Sequence, residues 1–220
     1  MLGSRSQFWE RRVTGMAGCR AITLGELSQL LLACGEYLRP LVARRSAAIF
    51  VVMYYTGIRV SECVSLHVGD VSSGGEAGDW LCVQRCHVKG KQHGREVPLH
   101  PIAQQELQGW LPFAGLRDVP RDAWLFPGVS RGANQHFNFA LHVTDVSVRY
   151  TLTGLAQRLH LGGRVSTHSF RHSFAERFFE ESGERLLLTM AALDHSDIKS
   201  TLAYLRLSQR GVRDVIMRFV

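Results

Sequence analysis

Ala47-Ala48-Ile49-Phe50-Val51-Val52-Met53-Tyr54-Tyr55-Thr56-Gly57-Ile58-Arg59-Val60-Ser61-Glu62 reads as a helix, a break and a new start. The first part is apolar almost all round, which is the pattern of a helix at the centre of a core. It is expected to begin just after Pro40 or around Arg44. Gly57 ends it, because glycine takes a left-handed C-cap conformation without a Cβ penalty and lets backbone approach closely. Arg59 follows at once. A cation at the break beyond a buried helix is held rigidly at the rim of a cleft. Ser61 and Glu62 are set to cap a short helix that carries Cys63, Val64 and Leu66. Taken in isolation, a surface Arg59 paired with Glu62 fits the same residues better.

Upstream, Thr23-Leu24-Gly25-Glu26 has the form of a capping box ahead of Leu27, Leu30 and Leu31, and that helix is expected to close near Cys34-Gly35. Downstream, 73–79 is turn-rich. Residues 80–88 and 95–99 read as strands around the basic turn Lys89-Gly90-Lys91-Gln92-His93-Gly94, with Pro98 pushing the return strand to a sheet edge. Helices are expected from Pro101 to Pro112 and over 145–159, the latter capped by Thr144 or Asp145 and closed by Gly162-Gly163. Between them, Trp124-Leu125-Phe126-Pro127 reads as a short buried segment and 130–138 as a polar loop containing Arg131. Thr167 or Ser169 opens a helix broken by Gly183. Leu186 to Leu193 forms another, 196–205 a turn and short helix, and about 208–219 a last helix with one apolar side. The fold class is mixed α+β, mainly helical, with a small antiparallel hairpin or three-stranded sheet.

The 220 residues suit one domain: a basic tail or linker over 1–20 and a main domain over 21–220. Net charge is +7, and the sequence pI near 9.5 points to a polyanionic partner such as nucleic acid. Only Lys89, Lys91 and Lys199 are lysines, so the cations are mostly arginine, whose planar fork matches phosphate oxygens. No run approaches the ~18 apolar residues of a membrane span, and no apolar signal segment opens the chain. Five scattered cysteines fit free thiols in a reducing compartment better than a disulfide framework. Cys82, Cys86 and His87 lack the spacing and the partner pair of a zinc site.

His168 and Arg171 stand three apart at a helix start, where both can face one cleft and the helix dipole favours an anion. His172, with His168 and His195, has the residue types of a metal site, but Arg171 between them is electrostatically wrong for one. A packed or capping role suits His172 better. His195 and Tyr204 flank a polar turn. Tyr204 alone reads as a packing aromatic. Taken together, the arginines, histidines, lysine and tyrosine have the inventory for transesterification at a phosphodiester. Arginines neutralise non-bridging oxygens as charge builds, a tyrosine supplies the nucleophile, and an acid protonates the leaving oxygen.

At this point the sequence resembles the catalytic domain of the tyrosine recombinases, the phage integrase family. Four blocks match in order. They are Tyr55 to Leu66 with Asp70; Val88-Lys89-Gly90-Lys91 followed by Arg95-Glu96-Val97-Pro98-Leu99; Thr167 to Ala175; and Leu193 to Tyr204. The similarity covers about residues 21–208. It implies the tyrosine recombinase catalytic fold, with Arg59 and Arg171 clamping the scissile phosphate. Lys89 would be the general acid, with Lys91 as competitor. His168 would assist proton transfer from the tyrosine, and His195 would hydrogen-bond the phosphate. Tyr204 would form a 3′-phosphotyrosyl link, and Glu62 would hold the arginine box. The resemblance further implies double-stranded DNA as partner and a homotetramer on two sites acting through a Holliday junction. It implies neither metal nor ATP as cofactor, and a cytoplasmic, nucleoid-associated location. A DNA-free monomer and an accessory protein are both compatible with it. It leaves integration, excision, inversion and resolution equally open.

Two departures from the family pattern stand out. Asp194 occupies a position that is usually glycine, placing a negative charge beside His195. Only about twenty residues precede the catalytic region, where typical members carry a helical domain that closes on DNA. A separately expressed fragment and a minimal recombinase both fit. Two further readings keep the same residues: a DNA-binding regulator with weak or absent catalysis, and a type IB topoisomerase.

Overall fold

The structure is a computed structural model, which describes residues 18–73, 75–84, 94–130 and 134–194. These residues fall into two compact units, one spanning Cys19–Phe174 and one taking up the chain from Ala175. Among the described residues no helix is long and apolar enough to cross a membrane.

In the first unit, helix α1 (Leu24–Tyr37) starts with the expected capping box. The Thr23 hydroxyl accepts from the Glu26 N–H at 3.1 Å, and the Glu26 carboxylate accepts from the Thr23 N–H at 2.8 Å. The helix runs past Gly35 to Tyr37, beyond the expected end. Gly35 lies on an exposed turn, and closure waits until Leu38 and Arg39 turn extended ahead of Pro40.

Helix α2 (Pro40–Thr56) is the buried centre that its composition predicts. Ala48 through Tyr54 are all buried, and α1 packs against it. Gly57 ends α2 in the left-handed region (φ 66°), its N–H bonded to the Met53 carbonyl at 3.0 Å. Helix α3 (Val60–Val64) follows, then a 3-10 turn over Val68–Asp70.

The expected antiparallel pairing of 80–88 with 95–99 is present, as one of three separate antiparallel pairs among the described residues. They are β1 (Ser72–Ser73) with β2 (Glu76–Ala77), β3 (Trp80–Val83) with β4 (Arg95–Pro98), and β5 (Pro127–Val129) with β6 (Phe137–His142). The β3–β4 register pairs Val83 with Arg95 and Trp80 with Pro98. The basic turn that joins these strands in sequence, and the expected continuation of β3 to residue 88, lie outside the described residues.

Strand β6 takes the last two residues, Phe137 and Asn138, of the loop expected over 130–138. Phe137, Phe139 and Leu141 alternate with Asn138, Ala140 and His142, which is a strand period. Phe137 meets Trp110 edge-on, with ring centres 5.6 Å apart, so aromatic burial anchors the strand. Trp110 belongs to α4 (Pro101–Phe113), which also packs on α2, and its indole N–H donates to the Leu125 carbonyl at 2.8 Å. Leu125 and Phe126 are buried as expected.

Helix α5 (Asp145–Arg158) is capped by Thr144, whose hydroxyl accepts from the Ser147 N–H. Its end is not made by Gly162-Gly163. His160 takes the left-handed conformation (φ 50°), and the His160 and Leu161 N–H groups return to the Gln157 and Ala156 carbonyls. Helix α6 (Thr167–Glu181) begins in this unit, and Phe170 stacks on Phe50 of α2 at 5.2 Å. Cys19, Cys34, Cys63 and Cys82 are free thiols, as expected, while Cys86 lies outside the described residues.

In the second unit α6 ends at Glu181, just ahead of Gly183 (φ 71°), where the sequence places the break. Helix α7 (Leu186–Leu193) follows and is closed by Asp194 in the left-handed conformation (φ 53°, ψ 45°). The expected C-terminal helix lies outside the described residues.

Candidate active site

The site grows from Gly57. A left-handed residue turns the chain sharply, so the carbonyl of Gly57 no longer points along α2 and becomes available to another element. Arg171, on the second turn of α6, takes it. Its Nη1 donates to the Gly57 oxygen at 2.6 Å, across 114 positions of sequence. Arg171 is among the largest fully buried side chains of the described residues. Phe174, one turn further along α6, lies over Gly57 so closely that a Cβ there would sit 2.4 Å from the Phe174 ring. The glycine therefore satisfies two needs at once, a positive φ and a close approach.

Arg59 is the residue at the N-cap of α3, in extended conformation (φ −71°, ψ 152°). Its backbone N–H donates to Glu62 Oε2 at 2.8 Å and its Nη1 to Glu62 Oε1 at 3.0 Å. Glu62, not Ser61, does the capping, because the third helical residue is the one whose carboxylate reaches back to the first free N–H. The pairing of Arg59 with Glu62 and a place for Arg59 at a rim hold together. The Arg59 side chain keeps 39% of its surface exposed while Glu62 keeps 1%.

Glu62 has a second partner that the sequence reading did not single out. Arg95, on β4, places Nη1 3.1 Å from Glu62 Oε1 and Nη2 2.9 Å from Oε2, a bidentate fork. Burial acts to raise the Glu62 carboxyl. The hydrogen bonds and charge of Arg95, followed by those of Arg59, outweigh it and hold the group below its ordinary value. A signal for Arg95 was present: it shares a strand face with buried Val97, and an inward arginine needs a carboxylate. Asp70 plays the corresponding part at the 3-10 turn, accepting from the His67 N–H at 2.8 Å and from Gln84 at 2.6 Å.

His168 stands on the first turn of α6, exposed at the surface. Desolvation by the surrounding protein, then the charges of Arg171, Arg149 and Arg59, lower its pKa. A neutral imidazole is the form that accepts a proton. Arg149, on α5 and ion-paired with Asp145, is a further cation that the sequence reading passed over, since nothing local to α5 marks it. His172 is buried, in keeping with a packing role. Its neighbour Ser173 ties α6 to the start of the unit, with Oγ 2.8 Å from both the N–H and the carbonyl oxygen of Ile22.

Arg59, His168 and Arg171 thus stand around one break in the backbone: Arg171 is buried and bonded to the Gly57 carbonyl, Arg59 is partly exposed two residues on, and both lie close enough to His168 for their charges to lower its pKa. Lys89, its competitor Lys91, His195 and Tyr204 lie outside the described residues. A model of the phage integrase family matches residues 20–210. The chain belongs to the phage integrase family.

Among curated proteins, this family member is 31% identical over 180 residues to tyrosine recombinase XerC of Pseudomonas aeruginosa strain LESB58, covering 80% of this chain and 52% of that protein. It is 28% identical over 197 residues to the XerC of Anoxybacillus flavithermus, covering 87% and 59%. The chain spans about half the length of the curated relatives it matches. Among solved structures, the XerA recombinase aligns with a TM-score of 0.67 at 20% identity, covering 93% of this chain and 66% of that one. The catalytic domain of bacteriophage HP1 integrase aligns at 0.52 and 18% identity, covering 91% of this chain and 95% of that one. These structural likenesses establish a tyrosine recombinase catalytic fold.

Proposed function

We propose that this chain is a site-specific DNA recombinase, cleaving and rejoining duplex DNA through a covalent 3′-phosphotyrosine at Tyr204. The observation that carries this reading is the 2.6 Å bond from Arg171 to the Gly57 carbonyl, which brings Arg171 to the backbone break two residues before Arg59. Two guanidinium groups fixed by buried partners suit the non-bridging oxygens of a phosphodiester, whose charge rises as the pentacoordinate state forms. The Tyr204 phenolic oxygen attacks phosphorus as the bond to the 5′ oxygen breaks. His168 takes the phenolic proton, and Lys89, or Lys91 in its place, protonates the departing 5′ oxygen. His195 hydrogen-bonds the phosphate. The bond energy stays in the phosphotyrosyl ester, so rejoining by a 5′ hydroxyl needs neither ATP nor metal. In this reading four copies act on two duplexes and exchange strands in pairs through a Holliday junction, in the cytoplasm at the nucleoid. Integration, excision, inversion and resolution share this chemistry.

The test is a duplex taken from DNA flanking the gene and nicked beside the cleavage position, so that a short leaving strand diffuses away and traps the intermediate. The wild-type chain is expected to form a covalent protein–DNA adduct that survives denaturation, and Tyr204→Phe to form none. An adduct that persists in Tyr204→Phe, or its absence from wild type on every flanking duplex, overturns the reading. Relaxation of supercoiled plasmid without any site requirement would instead mark a topoisomerase.

A further inference from the structure

We propose that Arg95 is a positioning residue of this transesterification site, saturating Glu62 so that the Arg59 guanidinium serves the phosphate rather than its own carboxylate. The inference rests on the recombinase reading above.

The charge balance requires some such partner. Arg59 and Glu62 alone form a neutral pair, and an anion approaching Arg59 would meet a carboxylate 3.0 Å behind it. With Arg95, two guanidinium groups face the one carboxylate. The geometry divides the roles. Both Arg95 Nη groups are turned onto Glu62, and its side chain is 15% exposed, so it is poorly placed to meet DNA itself. Arg59 gives Glu62 a single Nη1 contact and keeps more than twice that exposure. A guanidinium has five N–H donors, so most of the Arg59 fork remains available to a ligand. Glu62 Oε1 accepts from both arginines, while Oε2 accepts from Arg95 and from the Arg59 backbone. Without Arg95, the buried carboxylate would have to satisfy both oxygens from Arg59, drawing that side chain inward.

A second consequence follows from register. Arg95 pairs with Val83 at the end of the β3–β4 ladder from which the chain departs toward Lys89. The Arg95–Glu62 fork therefore fastens the arginine box to the base of the segment that carries the proposed acid. A lysine at 95 would bring the charge but not the planar fork.

The experiment measures the single-turnover rate of covalent adduct formation on the nicked flanking duplex, with DNA affinity measured separately and thermal melting as the check on folding. Arg95→Ala is expected to slow adduct formation about 10- to 100-fold, as for lost positioning of one transition-state donor, with DNA affinity falling no further than in Arg59→Ala. Arg95→Lys should recover part of the loss. The discriminating variant is Arg95→Ala/Glu62→Gln, which should be faster than Arg95→Ala because the uncompensated carboxylate is gone. A merely structural anchor predicts that the rate recovers only in step with the thermal midpoint, whereas positioning predicts a rate difference between the two variants at a temperature where both are folded. A wild-type rate in Arg95→Ala, or a double variant no faster than the single one, overturns the inference while leaving the recombinase reading standing. Failure of wild type to form any adduct removes both. If Arg95→Ala unfolds at the assay temperature, Arg95→Lys against Arg95→Lys/Glu62→Gln makes the same comparison.

Discussion

Gly57 carries more of the site than any cationic residue beside it. Its positive φ is disfavoured for residues with a Cβ by roughly 1–2 kcal/mol, and the Phe174 ring fills the space that a Cβ would need. Overpacking of that kind adds about 1–3 kcal/mol. Gly57→Ala is therefore expected to cost about 2 to 5 kcal/mol of stability, read as a lower denaturant midpoint with unchanged slope. Gly25→Ala is the control, since its nearest neighbour would lie 3.8 Å away and its φ is ordinary. Equal losses in the two variants would refute the assignment. Gly57, Arg59 and Glu62 were legible in the sequence because they sit within six consecutive positions, where local chemistry suffices. Arg171 was legible from its spacing to His168 at a helix start, but its link to Gly57, 114 positions away, was not. Arg95 and Arg149 escaped because their significance depends on partners that no local window contains. Glu62 lies 33 positions from Arg95, and the neighbours that matter for Arg149 are brought to it by α6 and the Gly57 break.

At the level of elements, helix starts were read more securely than helix ends. Capping side chains are written in the residues themselves, as at Thr23 and Thr144. An end depends on where the chain must next go, so α1 passed Gly35 and α5 closed on His160 rather than on two glycines. Strand β6 was missed although its alternation is plain, because its partner β5 is short and its anchor is the distant Trp110. The end of α7 is the instructive case. Asp194, the departure from the family pattern, occupies the left-handed position for which glycine is the ordinary choice. Aspartate is one of the few other residues that visits this region readily. The substitution thus keeps the turn ahead of His195 and adds a charge to it. The expected order of thermal midpoints is Asp194→Gly at or above wild type and Asp194→Ala below it, by about 1 kcal/mol for alanine. If alanine were tolerated as well as glycine, the backbone would not be what selects residue 194.

For the whole molecule, the mainly helical class and the buried α2 followed directly from composition and periodicity, since a helix apolar on every side has only one place to go. Charge gives the remaining test at this scale. The net charge of +7 is spread over many arginines, but not all of them are available to an anion. Arg44 is ion-paired with Glu106 and Arg95 with Glu62, whereas Arg59 keeps an exposed fork despite its carboxylate neighbour. Each cation that neutralises a DNA phosphate releases counterions and steepens the fall of affinity with salt by about one unit of slope in the log–log plot. Arg59→Ala should therefore weaken binding to duplex DNA and make that slope shallower by about one. Arg44→Ala, which removes a cation already neutralised within the fold, should leave the slope unchanged. Measured across a salt series, equal slopes for wild type and Arg59→Ala would place Arg59 away from the phosphate. A shift with Arg44→Ala as large as with Arg59→Ala would mean that affinity follows total charge rather than the cluster at Gly57.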